Sequence, residues 1–181
     1  SSFSLDRVGK SGAKFDFDKT RWFNQQYLRA KSKEELAQLF QVILKQKGVD
    51  ASDSFVAEVC KQLKERATFV KDMWKEGKYY FFPPKSYDEK TIRKKWKDDT
   101  PKLMKELMER LKNLADFTSS SIETEFKTFL QEKELGMGRL LPSFRVSLTG
   151  LGVGPSLFDI AELLGKEEVI NRIQTAINII K

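Results

Sequence analysis

Arg145 and the glycines that follow it are the residues best suited to chemistry. Arg145 opens the stretch Arg145-Val146-Ser147-Leu148-Thr149-Gly150, and Gly150, Gly152, Gly154 and Pro155 fall within six positions. The planar guanidinium fork suits a phosphate or a base edge. Glycine admits backbone conformations that other residues resist and lets a ligand approach the main chain. Ser156 is placed to cap a helix beginning at Leu157-Phe158, with its first-turn amides facing outward. The same residues also make a packing turn between two short amphipathic helices, with Arg145 solvated. Gly/Pro turns are common, so local chemistry by itself favours that plainer alternative.

Several chemistries are excluded. The 181-residue chain has no histidine, so no imidazole base, His-based triad or imidazole metal site can exist. The single cysteine, Cys60, rules out an internal disulfide and any zinc site built on several cysteines. It stands among Phe55, Val56, Val59 and Leu63 at helical spacing, where a thiol acts as a small apolar residue. Val8-Gly9-Lys10-Ser11-Gly12 lacks the upstream glycine and strand of a phosphate-binding P-loop and reads as an ordinary loop. No apolar run approaches the length of a membrane span, and no signal peptide opens the chain. These features predict a cytoplasmic protein. Hydrophobic residues at 40% allow a packed core. Of the net charge of +7, most lies early: residues 1–33 hold eight Lys and Arg against three Asp. That asymmetry fits a polyanion and equally fits a solvated basic face.

The elements that must position these residues read almost entirely as helices. Trp22, Phe23 and Tyr27 recur at helical spacing over Phe17–Tyr27, with Asp18 as a candidate cap. Ser32-Lys33-Glu34-Glu35 has the form of a capping box and opens a helix through Lys45. Ser52 or Asp53 caps a helix from Phe55 to Arg66, and Thr68–Trp74 continues as a short helical turn. Gly77-Lys78-Tyr79-Tyr80-Phe81-Phe82-Pro83-Pro84 breaks the pattern. Its aromatic rings can stack on unpaired bases or plug a joint between helical bundles. Tyr87–Trp96 follows, then a helix opened by Asp99 or Thr100 with Pro101 and striped by Leu103, Leu107, Leu111 and Leu114. Ser119–Ser121 caps the next, with Ile122, Phe126, Phe129 and Leu130 inward. Pro142 predicts an extended lead-in before a helix in residues 139–149. Leu157–Leu164 and Glu167–Ile180 close the chain as amphipathic helices.

The wording of both ends resembles one family. Arg145-Val146-Ser147-Leu148-Thr149-Gly150, Gly154-Pro155-Ser156-Leu157-Phe158 and Leu163-Leu164-Gly165-Lys166-Glu167-Glu168 resemble the C-terminal end of bacterial glutamyl-tRNA synthetases, class I aminoacyl-tRNA synthetases. Phe3-Ser4-Leu5-Asp6-Arg7-Val8, Lys10-Ser11-Gly12-Ala13-Lys14-Phe15-Asp16 and Trp22-Phe23-Asn24 are similar to the segment where that family enters its helical half. The resemblance implies an all-α fold: two consecutive helical bundles forming a superhelical α-helix cage that binds the anticodon. It implies a basic, stem-contacting segment over residues 1–20, a first helical subdomain over 21–84 and a second over 85–181, with the aromatic run plugging the joint.

For function, the resemblance implies binding of tRNA-Glu by a monomer. The two nucleotide-binding signatures of class I synthetases are absent and residue 1 is a serine, which predicts a C-terminal fragment with no catalytic residue, metal or cofactor of its own. ATP and magnesium would belong to the parent ligase. The anticodon residues implied are Arg145, Thr149, Gly154, Pro155, Leu157, Lys127, Lys61 and Lys64. The family often carries threonine where Gly154 stands, which leaves only backbone to bond there. Lys10, Lys14, Lys19 and Arg21 would meet the stem and its phosphates. A non-enzymatic helical adaptor for protein partners is the alternative, suggested by Tyr79–Phe82.

Overall fold

The computed structural model describes residues 16–180. They form ten α-helices and one 3-10 turn, with no strand among the described residues, so the all-α expectation holds. The helices are α1 (Phe17–Ala30), α2 (Lys33–Gln46), α3 (Asp53–Leu63), α4 (Val70–Gly77), α5 (Glu89–Lys95), α6 (Thr100–Lys112), α7 (Ser119–Glu132), α8 (Met137–Thr149), α9 (Leu157–Leu164) and α10 (Lys166–Ile179). Lys78–Tyr80 is the 3-10 turn between α4 and α5.

Side-chain caps fix five of the ten starts, and several differ from expectation by a few residues. Asp16, not Asp18, caps α1, because its carboxylate reaches the free amides of Asp18 and Lys19 at 3.1 and 3.0 Å. The predicted capping box at α2 is present. Glu35 N–H donates to Ser32 Oγ at 3.1 Å, and Ser32 N–H donates to the Glu35 carboxylate at 2.9 Å. Ser52 caps α3, which stops at Leu63 before a tight turn through Arg66. α4 accordingly starts later than predicted, where the Asp72 carboxylate accepts from Phe69 N–H at 2.9 Å. Thr118, one residue before the predicted serines, caps α7.

α8 overturns the predicted extended lead-in. Helix runs straight through Pro142. Proline at that position removes the amide that would serve the carbonyl four residues back. That carbonyl, on Gly138, instead accepts from the Lys95 ammonium of α5 at 3.2 Å. A partner from another helix thus replaces the missing bond.

Two main cores result. One gathers Leu28, Leu36, Phe40, Leu44, Val56, Cys60, Leu63, Met73, Tyr79 and Tyr80 from α1 to the 3-10 turn, and it also takes in Ile160 of α9. The other joins α6 to α10 around Leu103, Leu107, Leu111, Phe126, Phe144, Leu148 and Ile173. Phe126 and Phe144 stack there with centroids 5.7 Å apart. Arg110 of α6 ties down α7 through Glu125 and Glu132. The predicted aromatics of α1 do not turn inward. Trp22, Phe23 and Tyr27 are exposed, and Leu28 is the residue that α1 buries.

Candidate nucleic-acid interface

The site is built on the end of α8. Gly150 ends the helix in the left-handed region, φ +74°, and donates to the Val146 carbonyl at 2.8 Å. A β-carbon there would lie 2.5 Å from the Ser86 carbonyl oxygen and 2.8 Å from Pro84 Cβ, so glycine is required both by conformation and by space. The Gly150 carbonyl in turn accepts from Asp88 N–H at 2.9 Å, which fastens the start of α5 to the turn. Asp88 caps α5 by accepting from Thr91 N–H at 2.7 Å, and Thr91 holds its carboxyl below the ordinary range.

This frame places Arg145 one turn back, pointing across Gly154. A β-carbon on Gly154 would lie 2.9 Å from Arg145 Nη1 and 3.9 Å from the Tyr79 hydroxyl. Among the described residues, Arg145 Nη1 and the Tyr79 hydroxyl are both buried and neither makes a well-formed hydrogen bond, with the Tyr80 hydroxyl near enough to pull on the Tyr79 phenol. Among the described residues, no carboxylate pairs with Arg145. Burial pushes its guanidinium below the usual value, opposed by Tyr79 and reinforced by the nearby Arg66 cation. Burial likewise raises the Tyr79 phenol, against the pull of Tyr80, Arg145 and Arg66. Arginine stays protonated through this range, so the site presents a fixed cation and a neutral O–H. A buried donor without a partner costs about 1–3 kcal/mol, and a ligand oxygen or ring nitrogen would relieve that cost.

The chain backbone beneath this pair is held by Arg172, which is 3% exposed. Its Nη1 donates to the Tyr79 carbonyl and to the Leu148 carbonyl, both at 2.7 Å, and its Nε donates to Glu168 at 2.7 Å. One guanidinium therefore joins the 3-10 turn, α8 and α10. Tyr79 and Arg145 are fixed relative to each other through it.

The structure gathers some of the predicted site residues and separates others. Arg145 and Gly154 meet, and half-buried Pro155 follows them in the turn. Leu157, expected to touch a base, does not face outward: it is 2% exposed and its side chain packs into the α6–α10 core. Thr149 is also corrected. Its hydroxyl donates to the Arg145 carbonyl at 2.9 Å and accepts from Leu151 N–H at 3.0 Å, so the turn consumes it. Ser156 stands at the cap position of α9 but makes no side-chain cap bond. Lys127 lies on α7, paired with Glu123 at 2.6 Å. Lys61 sits 3.7 Å from Glu58 and lines a separate cleft with Asp159 and Glu162. Lys64 ends α3. Lys19 and Arg21 are exposed on α1. Lys10 and Lys14 lie outside the described residues.

Three residues escaped the sequence reading. Arg66 falls in the turn after α3, two residues beyond Lys64. Tyr79 was legible as an aromatic but not as a hydroxyl donor. Arg172 looked like one charge on an amphipathic helix; the spacing of Glu168 and Arg172 was its only signal. Among the described residues, no group of His, Cys, Asp and Glu is arranged to hold a metal ion, and no helix is long and apolar enough to cross a membrane.

Comparison with known proteins identifies the family. A family model described as an anticodon binding domain matches residues 26–177. The chain is 48% identical to a glutamate–tRNA ligase of Flavobacterium psychrophilum over 97% of its length, and 48% identical to that of Flavobacterium johnsoniae over 98%. It spans about a third, 35%, of each of those proteins. A crystal structure of a glutamate tRNA ligase from Elizabethkingia meningosepticum, in complex with its amino acid, superposes with a TM-score of 0.90 at 41% identity. That match covers 99% of this chain and 36% of the solved one. Matched by that family model over most of its length, and sharing its helical frame with glutamate–tRNA ligases, this chain belongs to the anticodon binding domain family.

Proposed function

We propose that this chain is the anticodon-binding part of a glutamate–tRNA ligase and that Arg145 and Tyr79 receive an unstacked base of the tRNA-Glu anticodon loop. Loop bases can be splayed out, and their edges are where sequence-specific RNA recognition operates. The carrying observation is the pair of unpartnered buried donors, Arg145 Nη1 and the Tyr79 hydroxyl, converging beside Gly154. Arg66 adds a second cation at the mouth, suited to a phosphate. The missing side chain at Gly154 leaves room for the Arg145 guanidinium to lie across the turn, and Pro155 offers an apolar edge. Lys127, Lys64 and the α1 residues Lys19 and Arg21 would contribute phosphate contacts, as would Lys10 and Lys14. Residues 21–84 and 85–181 act as two helical subdomains of one monomeric cytoplasmic unit.

Glutamate ligation with ATP and magnesium belongs to the whole ligase. The chain by itself should bind tRNA and charge none, which an aminoacylation assay with ATP and glutamate checks directly. The discriminating experiment is a titration of tRNA-Glu and an anticodon-altered tRNA at two salt concentrations. Arg145→Ala should cost about 1–3 kcal/mol with tRNA-Glu, the worth of a good bidentate base contact, and much less with the altered tRNA. Equal affinities for the two tRNAs, unmoved by the substitution, would refute the reading. A helical adaptor for protein partners is the second reading. The exposed Trp22, Phe23 and Tyr27 of α1 favour it, and it predicts no RNA binding at all.

A further inference from the structure

The aromatic run Tyr79–Phe82 divides its labour. Phe81 plugs the first core, packing edge-on against Phe40 and Phe55 and stacked on Trp74 with centroids 6.2 Å apart. Tyr79 and Tyr80 are buried. Phe82 is different: it stays 46% exposed, edge-on to Trp74, and helps to wall a cavity of about 360 Å³. The other walls are Trp74, Tyr79, Pro83, Pro84 and the Thr149–Leu151 backbone, with Lys78, Lys85 and Ser86 at the edge. Arg145, Arg66 and Gly154 are not among the walls. Lys78 and Lys85 are exposed and make no ion pair among the described residues.

We propose that this cavity is a second base-binding site, which takes one unstacked nucleobase next to the bases read at Arg145 and holds its phosphate between Lys78 and Lys85. The proposal rests on the anticodon-loop reading and adds a subsite to it. Aromatic and proline walls with no fixed donor at their centre suit the face of any base, and lysine at the rim suits its phosphate. An apolar peptide side chain would leave both lysines unused, so charge favours the nucleotide. Tyr79 is shared: its hydroxyl faces Gly154, while it also walls the cavity. Consecutive nucleotides of one strand can therefore occupy both places. The frame is held by two hydrogen bonds, Asp88 N–H to the Gly150 carbonyl and Arg172 to the Tyr79 carbonyl, with Pro84 packed closely beside Gly150.

The test uses the 181-residue chain and an anticodon stem-loop RNA, intact or with a single abasic nucleotide on either side of the anticodon. Phe82→Ala should weaken binding of the intact loop by about 5- to 150-fold, the range for one base stacked on an aromatic ring. The loss should vanish with one of the two abasic loops, and Phe82→Tyr should restore affinity. Lys85→Ala should lower the slope of log affinity against log salt by about one. Arg145→Ala should weaken intact and abasic loops alike. If Phe82→Ala, melting like the parent chain, binds every loop as tightly as the parent while Arg145→Ala does not, the second site is refuted and the anticodon reading stands. If no loop binds the parent chain, both fall.

Discussion

At the scale of single residues, burial decides which groups are available. Cys60 is fully buried in the first core, and loss of solvation pushes its thiol up to about 12. The reactive form of cysteine is the thiolate. Native chain at about pH 8 should therefore leave an aromatic disulfide reagent uncleaved over the time in which urea-unfolded chain releases one equivalent of coloured thiolate. Rapid native labelling would mean that α3 opens readily. Arg145 sits at the opposite extreme, half-buried, charged and without an ion-pair partner among the described residues. Its residue type and its neighbouring glycines were legible as a possible binding turn. Its lack of a carboxylate partner was not, because that depends on the 3-10 turn and on Arg66 after α3, which the fold brings alongside. Leu157 and Thr149 show the converse. They lie in the same motif as Arg145, yet core packing claims one side chain and the turn's own hydrogen bonds claim the other.

At the scale of elements, capping and turn chemistry were the most legible part. The capping box at Ser32 and Glu35 satisfies two amides with two local side chains, so spacing alone reveals it. Pro142 misled because its cost is local while its remedy, Lys95, comes from another helix. Gly150 is the element whose change should cost most. Ala at φ +74° is strained, and its β-carbon would press on the Ser86 carbonyl and Pro84. Gly150→Ala should lower stability by about 1–3 kcal/mol, a range typical of a non-glycine residue forced into that region. Gly138→Ala is the control: no atom lies within 4 Å of its added carbon. Within α8 it should be neutral or stabilise by up to about 1 kcal/mol. Urea unfolding of both variants measures the difference, and equal losses would contradict the role given to the turn.

At the scale of the whole molecule, the two cores meet at the site, and Arg172 is the tie between them. Replacing it with methionine keeps much of the apolar stem but leaves the Tyr79 and Leu148 carbonyls without their donor. Each buried acceptor left unpaired costs on the order of 1–3 kcal/mol. Arg172→Met should therefore lower the urea midpoint, and it should weaken RNA binding although Arg172 touches no ligand. A variant with unchanged midpoint and affinity would remove Arg172 as the positioning residue. The sequence by itself determined the helical class, the capping box at Ser32 and Glu35, the apolar stripes of α6 and α7 and the position of the glycine turn after Arg145. Each of these follows from interactions between residues a few positions apart. Only the tertiary structure decided which side chains gather at the turn. Arg66, Tyr79, Arg145 and Arg172 are brought together from four segments, as far as 106 positions apart in the chain. Whether a donor is free or already paired depends on those distant neighbours.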